Sequence, residues 1–463
     1  MNEARDVALH DLWARLDAPG PPPHPIGRGD STGLASPLPV DALAHASVAS
    51  AAGAAALLRG GGEVEVDAAR VGSSFRADQL LRIHGEASGG FAPLSGFWRA
   101  GRGERSDGGS VRGERSDGGS LRGGGWVRTH ANYPHHRARL LAALGLPDDS
   151  GPDELTAALA TRSALEVEDA VTAAGGIAVA VRDRTTWSSS GPGRAVAGEP
   201  LVTVRRAGGP GPAVGDRFRV LDLTRVIAGP VATRTLALAG ADVLRVDPPH
   251  LAEIPAQHAD TGLGKRTTIL DAADPRLRAL ADTADVVVTG YRPGALDRFG
   301  LAPEDLLERR PDLVVVRLDA WGWTGPWAGR RGFDSIEQAA SGIAVACADP
   351  TREDGRPGAL PAQALDHATG YLAAASALLG LAERSERGGS VRDLALARTA
   401  EWLWSGPVGG LDDANRVPAV EPLRQSVGAV EVPPPAVVMP GGPASWAAPA
   451  HRLGTDEPAW APR

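Results

Sequence analysis

Short apolar runs alternate with helical patterns between residues 217 and 407. Five runs rich in valine and leucine predict β-strands, at 219–223, 243–246, 267–270, 285–289 and 313–318. Helical patterns lie between several of them, at 231–240 and 274–284. Alternating strands and helices are typical of a parallel sheet with helices on both faces. We therefore predict an α/β domain whose ligands bind beyond the carboxyl ends of the strands.

Three loop segments in this region carry candidate chemistry. They read LTRVIAGP (223–230), GLGKR (262–266) and TGYRPG (289–294), and we expect each to follow a strand or to lie in a ligand-binding loop. GLGKR contains the only lysine of the chain, Lys265, whereas every other Lys or Arg position is arginine. Because Lys is a compact charge suited to phosphate and Arg is a planar fork, this retained lysine indicates a function.

Two kinds of repeat are visible. A ten-residue duplication, 102–111 and 112–121, is rich in Gly and Ser and predicts a flexible surface loop. A longer unit begins at Asp41 and again at Asp366. Each copy predicts an Ala-rich helix, a Gly turn, a short strand ending in Asp (Asp67 or Asp393) and a second helix. We interpret the two copies as the same supersecondary unit.

Composition shifts divide the chain into five segments. We predict an irregular N-terminal segment, a first folded region, a linker, a second folded region and an irregular tail, at 1–36, 37–206, 207–216, 217–407 and 408–463.

Charge and cysteine content exclude some classes of protein. The chain has 463 residues and a net charge of −8, without the basic stripe of a nucleic-acid-binding protein. Cys347 is the single cysteine, which fits a reducing, cytoplasmic setting. The apolar run 42–58 falls short of a membrane span and predicts a buried helix. We therefore expect no nucleic-acid partner and no membrane association.

The ordered string LDLTRVIAGP, GKR, YRPGALDRFG, TGP, GFD, SG and then Asp366 resembles the family III CoA-transferases, the carnitine and bile-acid CoA-transferase group. The resemblance implies a Rossmann-like CoA-binding domain with a parallel sheet, plus a smaller α+β domain. The order is rearranged, since 217–404 resembles the nucleotide-binding and catalytic part and 124–206 the small domain. Residues 449–460 resemble the family's terminal segment. We interpret the chain as two fused partial halves.

The family's catalytic carboxylate corresponds to Asp366. In this chemistry a carboxylate attacks an acyl-CoA and then carries CoA as a thioester to the incoming acid, which is covalent catalysis. The alternative role for Asp366 is a helix N-cap, a common one for Asp before an apolar run. Asp41 occupies the equivalent place in the first copy, and we interpret it as a vestigial cap.

The resemblance also implies sites for coenzyme A, whose phosphates need cations and backbone donors. The substrates would be an acyl-CoA and a carboxylic acid, and no metal is expected. The candidate CoA-binding residues are Lys265, Arg292, Arg298, Arg331, Ile227 and Ala228.

Several positions depart from the family pattern. Thr289 and Gly290 stand where Glu-Asn is usual, and Asp247 stands in a glutamate position. Ile227 replaces a polar residue sometimes found in the first loop. These changes leave open a catalytically degenerate acyl-CoA-binding protein.

A 2-methylacyl-CoA racemase is the other alternative. Racemases of this superfamily use a Gly-His-Asp motif, which is here Gly332-Phe333-Asp334, and Phe cannot carry a proton. His367, beside Asp366, keeps this reading open.

The histidines of the predicted small domain, His130, His135 and His136, do not have a standard zinc spacing. We expect them to be structural or to line the substrate site. Family members form interlocked dimers, so the chain is expected to form a homodimer or to mimic one within itself.

Overall fold

Helices and short strands alternate along most of the chain. The computed structural model describes residues 3–23, 25–101, 125–207, 209–215, 217–251, 253–439 and 442–462. The tandem duplication at 102–121 lies outside the described residues.

The described residues form the following α-helices: α1 Glu3–Arg15, α2 Val40–Leu58, α3 Ala68–Phe75, α4 Ala77–Leu80, α5 Pro134–Leu144, α6 Pro152–Leu159, α7 Ala164–Ala173, α8 Arg184–Ser189, α9 Gly191–Gly198, α10 Ala228–Leu238, α11 Pro255–Thr261, α12 Pro275–Ala281, α13 Pro303–Arg309, α14 Asp334–Ala340, α15 Ile343–Ala346, α16 Ala364–Arg387 and α17 Leu396–Ser405.

They form the following β-strands: β1 Ile26–Arg28, β2 Glu65–Asp67, β3 Arg82–Ile83, β4 Glu86–Ala87, β5 Gly96–Arg99, β6 Trp126–Thr129, β7 Ala178–Ala180, β8 Val202–Ala207, β9 Arg219–Leu223, β10 Asp242–Asp247, β11 Arg266–Ile269, β12 Val286–Thr289, β13 Val314–Asp319, β14 Gly389–Ala395, β15 Gln425–Val427, β16 Val430–Val432 and β17 Val437–Val438.

The described chain divides into two compact units. Unit 1 comprises residues 1–89, 195–330 and 361–463, and unit 2 comprises 90–194 and 331–360. This division differs from the predicted domains, because 195–206 belong to unit 1 and 331–360 belong to unit 2. Sequence order therefore does not give the domain limits here.

A seven-stranded sheet organises unit 1, in the order β11-β10-β9-β12-β13-β14-β8. The pairs from β11 to β14 are parallel, and only β8 is antiparallel. The strands run outward from β9 in one direction through β10 and β11, and the chain then crosses to β12 on the other side of β9. The predicted α/β fold with a parallel sheet is confirmed, and the five predicted strands are β9 to β13.

Alternate residues of these strands face opposite sides of the sheet. Leu221, Leu244, Val287 and Val315 belong to one core cluster, which also contains leucines of α12 and α13. On the other face lie α10 and α16, against β9, β13 and β14. Both faces are therefore covered by helices, as the sequence pattern predicts.

Helix α16 is buried along most of its length, and α2 and α10 pack against it. Small residues allow this close approach. A Cβ added at Gly370 would lie 2.5 Å from the carbonyl oxygen of Ala228, at the start of α10. Helix α2 is apolar all round, and by length and composition it could cross a membrane, but 94% of its most apolar window is buried inside the protein. The prediction of a buried helix at 42–58 is confirmed.

The two predicted copies of the repeated unit have the same order of elements. The first is α2, β2 and α3, and the second is α16, β14 and α17. The copies differ in their strands, since Asp67 ends β2 and caps α3, whereas Asp393 lies inside the longer β14. Asp393 instead pairs with Arg317 of β13, at 2.6 Å.

The N-terminal segment is not irregular as predicted, because residues 3–15 form α1. Its buried residues recur at helical spacing (Arg5, Ala8, Leu9, Leu12 and Trp13), which is the signature of an amphipathic helix. The tail also contributes three short strands, which join β1 and β2 in one small sheet and β3 and β4 in another.

Unit 2 contains a three-stranded antiparallel sheet, β5-β6-β7. Its core gathers Val127 of β6 with leucines and valines of α5, α6 and α7. An antiparallel sheet with packed helices is an α+β arrangement.

Arg5 of α1 makes a buried ion pair with Asp41 of α2. Its Nε and Nη2 donate to the two carboxylate oxygens at 2.8 and 2.9 Å, and the side chains are 3% and 6% exposed. Thr32 adds a backbone and a hydroxyl donor. Burial by itself raises the pKa of Asp41, but the bonds and charge of Arg5 and the Thr32 donors outweigh it and lower the pKa.

We expect Arg5→Leu to reduce the free energy of unfolding by about 3 kcal/mol, because it leaves a buried carboxylate without its cation. Urea denaturation at pH 7 measures this change. Arg15→Leu on the same helix is the matched control, since its pair with Asp11 is largely exposed and worth about 0.5 kcal/mol or less. Equal losses for the two variants would contradict the prediction. Because the pKa of Asp41 is depressed by folding, its contribution to stability is lost as the pH falls through the folded-state pKa.

Candidate functional site

A cleft lies at the carboxyl edge of the large sheet. It has a volume of about 220 Å³, and it is lined by residues at or just beyond the ends of four neighbouring parallel strands, among them Leu223 of β9, Val246 of β10, Leu270 after β11 and Tyr291 after β12. The cleft therefore spans the point at which the strand order reverses between β9 and β12. Open α/β sheets bind ligands at such a point.

The lining of the cleft is mainly apolar with a few polar groups. Arg298 and Phe299, in a short 3₁₀ helix, line one part, and the Arg298 guanidinium lies 4.6 Å from the Phe299 ring centroid. Burial raises the pKa of Tyr291 to about 12, so its phenol is neutral at physiological pH. His250 and Asp271 also line the cleft, so its polar groups include an arginine, a carboxylate, an imidazole and a neutral phenol within a mainly apolar lining.

The loop after β9, residues 224–227, leads directly into α10. Val226 has φ +72°, a left-handed conformation that is unusual for a β-branched residue. Its backbone N–H donates to Glu253 Oε2 at 3.2 Å. Glu253 in turn accepts from Arg245 Nη2 at 2.9 Å, so a buried ion pair holds the strained loop in place.

Asp222 of β9 points into the interior on the α10 side of the sheet. Its Oδ2 accepts from Thr233 Oγ1 at 2.6 Å and from Lys265 Nζ at 3.0 Å, and Lys265 also donates to the carbonyl of Pro230 at 2.9 Å. The Lys265 side chain is 1% exposed, and burial lowers its pKa to about 8. Lys265 therefore ties the start of α10 to the sheet and does not line the cleft.

The position of Lys265 corrects the expectation for GLGKR. This segment precedes β11 and so lies at the amino end of a strand, whereas LTRVIAGP and TGYRPG follow β9 and β12 as expected. In a parallel sheet the two ends of a strand lie on opposite edges, and ligands bind at the carboxyl edge.

The other candidate CoA-binding residues have different surroundings. Ile227 and Ala228 stand at the start of α10, beside the cleft strand β9. Arg292 is exposed and is not among the residues that line the cleft. Arg331 belongs to unit 2, where its Nη1 donates to the carbonyl of Gly175 at 3.3 Å. Of the four cationic candidates, Arg298 alone lines the cleft among the described residues.

Asp366 lies in the first turn of α16 and is 6% exposed. The N-terminal end of a helix favours a negative charge through its dipole. The neighbouring His367 is buried, its ring stacks 5.2 Å from that of Phe75, and its pKa falls to about 3, chiefly because of burial. The imidazole of His367 therefore stays neutral at physiological pH.

The contacts around Asp247 and Gly290 show how the structure accommodates these two departures from the family pattern. Asp247 makes a buried bidentate pair with Arg245, at 2.7 and 2.8 Å. A Cβ added at Gly290 would meet Thr224 at 3.8 Å, an ordinary contact distance. The backbone therefore does not require glycine at this position.

The histidines of unit 2 form an aromatic cluster. His130 stacks on Phe333 with ring centroids 3.8 Å apart, and His136 lies edge-on to both rings. Within the described parts of the chain, no group of three or more His, Cys, Asp or Glu side chains could hold a metal ion.

Sequence reasoning missed Tyr291, His250 and Asp271 as cleft residues, and Glu253 as a support of the first loop. Tyr291 was within reach of the sequence, because it directly follows a predicted strand and glycine. The partners of Glu253 are set by tertiary packing and leave no local signal.

The described chain is an α/β protein with a cleft at the reversal point of its strand order, a place where open α/β sheets bind ligands. Residues 216–429 match the family model described as CoA-transferase family III. This segment, a little under half of the chain, is similar to the members of that family.

Curated proteins are also similar to part of this chain. A protein of Mycobacterium tuberculosis named probable fatty acyl-CoA transferase Rv3272 is 34% identical over 190 residues, which is 37% of this chain and 48% of that protein. The mouse succinyl-CoA:glutarate CoA-transferase is 33% identical over 186 residues, or 37% of this chain and 42% of that protein. The chain thus spans about half the length of the curated relatives it matches.

A crystal structure of Rv3272 covers 42% of this chain and 56% of its own, at 33% identity and a TM-score of 0.37.

Asp319, the last residue of β13, is a buried carboxylate at the same edge of the sheet. It is 9% exposed, and its Oδ2 accepts the backbone N–H of Trp321 at 3.3 Å. Burial raises its pKa to about 6, and Glu199 adds to the shift, while backbone donors oppose it. The folded state therefore holds a proton on Asp319 that the unfolded chain releases near pH 4.

We expect Asp319→Asn to stabilise the protein at pH 8 and to have little effect at pH 4. A carboxylate with a raised pKa in the folded state costs stability as the pH rises from about 4 to about 6, and the penalty of about 3 kcal/mol persists above that range. Urea denaturation at the two pH values checks this. Asp413→Asn, at a fully exposed surface carboxylate, should change neither value, and an equal gain at both pH values for Asp319→Asn would refute the assignment.

Proposed function

We propose that this chain transfers CoA from an acyl-CoA to a carboxylic acid, with Asp366 as the covalent carboxylate. The observation that carries the proposal is the family match at 216–429, which includes both the cleft and the start of α16. The printed names of the relatives support it, since they are acyl-CoA and succinyl-CoA CoA-transferases.

The chemistry proceeds in four balanced steps. The Asp366 carboxylate attacks the thioester carbonyl and expels CoA as a thiolate, which leaves a mixed anhydride between Asp366 and the acyl group. The thiolate attacks the aspartyl carbonyl, which releases the first acid and leaves an aspartyl-CoA thioester. The acceptor carboxylate then attacks this thioester, and the released thiolate finally attacks the acceptor's acyl carbon. Asp366 is regenerated, and no metal or redox step is needed.

The near-complete burial of Asp366 supports this chemistry in two ways. It limits the water that would hydrolyse an anhydride. The positive end of the α16 dipole also stabilises the carboxylate and the oxyanions that form next to it.

The strand order of the sheet supports a Rossmann-like site for CoA. Counted from β9, the parallel strands have the order 3-2-1-4-5-6, which is that of dinucleotide-binding folds. In the proposal the nucleotide part of CoA occupies the cleft with Arg298 on its phosphates. The start of α10 at Ile227 and Ala228 offers backbone donors to phosphate. Lys265 acts indirectly, by holding α10 through Pro230 and Asp222.

The arrangement of the chain as two partial halves is part of the same proposal. Helix α2 of the first copy packs against α16 of the second, so one chain brings together the two equivalent helices. We propose that this contact acts within one chain as a pseudo-dimer interface. Residues 125–194 then correspond to the family's small domain, placed ahead of the catalytic part.

An acyl-CoA-binding protein without turnover is the second candidate. Gly290 favours this second candidate. The backbone at residue 290 has room for a side chain, yet this protein has glycine there. This candidate predicts that CoA binds and that no adduct forms with any donor. The racemase reading has no comparable support, because His367 is stacked on Phe75 and stays unprotonated.

We expect Asp366→Asn to abolish CoA transfer, by roughly a thousandfold or more, because an amide cannot form the anhydride. The wild-type protein is incubated with a panel of acyl-CoAs and quenched with hydroxylamine or borohydride. Peptide mass spectrometry then identifies the modified residue, which should be Asp366.

Asp41→Asn is the matched control, since Asp41 holds the equivalent place in the first copy of the unit. It should retain adduct formation at Asp366 when it is assayed below its unfolding temperature. Full CoA transfer by Asp366→Asn would contradict the assignment of Asp366 as the nucleophile. CoA binding without any adduct in the wild type would favour the second candidate, and deuterium uptake at the acyl α-carbon would favour the racemase.

We expect Arg298→Met to weaken CoA binding by about tenfold at low salt, because it removes the cation that lines the cleft. The loss should shrink as ionic strength rises. Arg292→Met makes the same charge change at an exposed arginine outside the cleft lining and should have a smaller effect. Isothermal titration calorimetry with CoA compares the two, and a larger loss for Arg292→Met would reverse the assignment.

A further inference from the structure

Unit 2 contains a buried arginine without a hydrogen bond. Arg128 is the third residue of β6, the central strand of the antiparallel sheet, and is 5% exposed. None of its guanidinium nitrogens donates a hydrogen bond within the described ranges, and Nε is fully enclosed without a partner. Buried charges in folded proteins are normally paired and hydrogen-bonded, because the unpaired state is costly. Arg128 is an exception that calls for a physical explanation.

Two aromatic rings flank the guanidinium. Its central carbon lies 4.5 Å from the Phe91 ring centroid and 5.0 Å from that of Phe97. Such contacts attract the cation to the ring faces. They do not satisfy its N–H groups, which point outward in the plane of the guanidinium. The two rings therefore contact the guanidinium, but its N–H groups have no acceptor among the described residues.

The described charged groups near Arg128 do not form hydrogen bonds with its guanidinium. Burial lowers its pKa to about 10, Asp334 opposes this shift, and Arg356 adds to it. Asp334 accepts a short hydrogen bond from Gln338, and no hydrogen bond joins it to Arg128. Arg128 stays charged at physiological pH, with one nearby carboxylate and a second arginine around it.

The same face of β6 continues into His130, two residues further along the chain. His130 is buried, its Nδ1 has no hydrogen-bond partner among the described residues, and its ring stacks on Phe333. Burial, and then the charge of Arg128, lower its pKa to about 3. This wall beside Arg128 is therefore aromatic and uncharged.

Phe91 covers the guanidinium from the solvent side. Its side chain is 46% exposed, although the ring lies over Arg128. The preceding Gly90 has φ +109° and nothing within 4 Å of an added Cβ, whereas the following Ala92 is anchored by its N–H on Asn132 Oδ1 at 3.0 Å. Phe91 thus lies between a glycine with open space around it and a residue that is anchored by a hydrogen bond.

We propose that Arg128 is the binding site for the carboxylate of a small aromatic or apolar organic acid, which enters where the Phe91 ring lies. A carboxylate matches the planar fork of arginine with two parallel hydrogen bonds. The desolvated, ring-lined surroundings favour a singly charged anion over a phosphate dianion, because the cost of burying charge rises with the charge. The rings of Phe91 and Phe97 accommodate the apolar body of the acid. The site lies wholly within unit 2 and does not depend on CoA transfer.

Isothermal titration calorimetry on the full chain, without any acyl-CoA, tests the site with benzoate. The neutral benzamide and inorganic phosphate serve as comparison ligands. We expect the wild type to bind benzoate in preference to both, and Arg128→Gln to lower the benzoate affinity by about tenfold or more, since charge-assisted hydrogen bonds are lost. Arg194→Gln makes the same charge change at an exposed arginine of unit 2 and should retain binding.

Benzoate binding that is absent in the wild type, or unchanged in Arg128→Gln, would overturn the proposal. Phosphate binding as tight as that of benzoate would overturn the choice of a carboxylate. If circular dichroism shows that Arg128→Gln is unfolded, Arg128→Lys is tested in its place, because lysine keeps the charge without the planar fork of arginine. Unchanged benzoate affinity in Arg128→Lys would also contradict the proposal. Asp366→Asn should leave benzoate binding intact, which separates failure of this site from failure of the proposed transfer reaction.

Discussion

The burial of α16 is the constraint on which the rest of unit 1 depends. This 24-residue helix lies against the sheet, and α10 and α2 pack on it. Its alanines and glycines let neighbouring backbones approach closely, and at Gly370 the carbonyl of Ala228 leaves no room for a Cβ. Packing at this density fixes positions to within a fraction of an ångström. Asp366 at the start of α16 and the start of α10 are therefore held by one shared contact surface.

Buried charges stand on the α10 side of the same sheet, and each has a defined partner. Asp222 is joined to Lys265, while Arg245 is joined to Asp247 and Glu253. Buried ion pairs add little net stability, but they penalise arrangements in which a partner is missing. Here they fix the start of α10 and the strained backbone at Val226. The loop at the reversal point of the sheet thus takes its shape from charges beneath it.

The two copies of the repeated unit share a local sequence pattern but have different surroundings in the folded chain. Asp41 and Asp366 both lie in the first turn of an Ala-rich helix, and these helices pack on each other. Asp41 is enclosed by Arg5 and Thr32, because α1 folds over it. Equivalent local sequence therefore does not imply equivalent chemistry, and the difference comes from residues more than thirty positions away in the case of Arg5.

The sequence by itself determined five strands of the large sheet, β9 to β13, and the resemblance of residues 216–429 to CoA-transferase family III. Runs such as 285–289 and 313–318 are β-branched and bounded by turns, so the local pattern was sufficient. The Ala-rich helix at 42–58 and the position of Asp366 near the start of an Ala-rich helix were also readable, because both depend on neighbours along the chain. Helix α1 was missed although its period was present, because Pro and Gly just beyond it dominated the composition of 1–36.

Only the tertiary structure decided which residues meet. Lys265 stood out in the sequence as a lone lysine, yet its partner Asp222 is 43 residues away and turns it inward. The segment 331–360 comes shortly after β13 in the chain but packs in unit 2. Arg128 gave no sequence signal among so many arginines, and its isolation from hydrogen-bond acceptors is visible only once the sheet is assembled. Local patterns fix secondary structure because they act over a few residues, whereas charge pairing and burial depend on contacts across the folded chain.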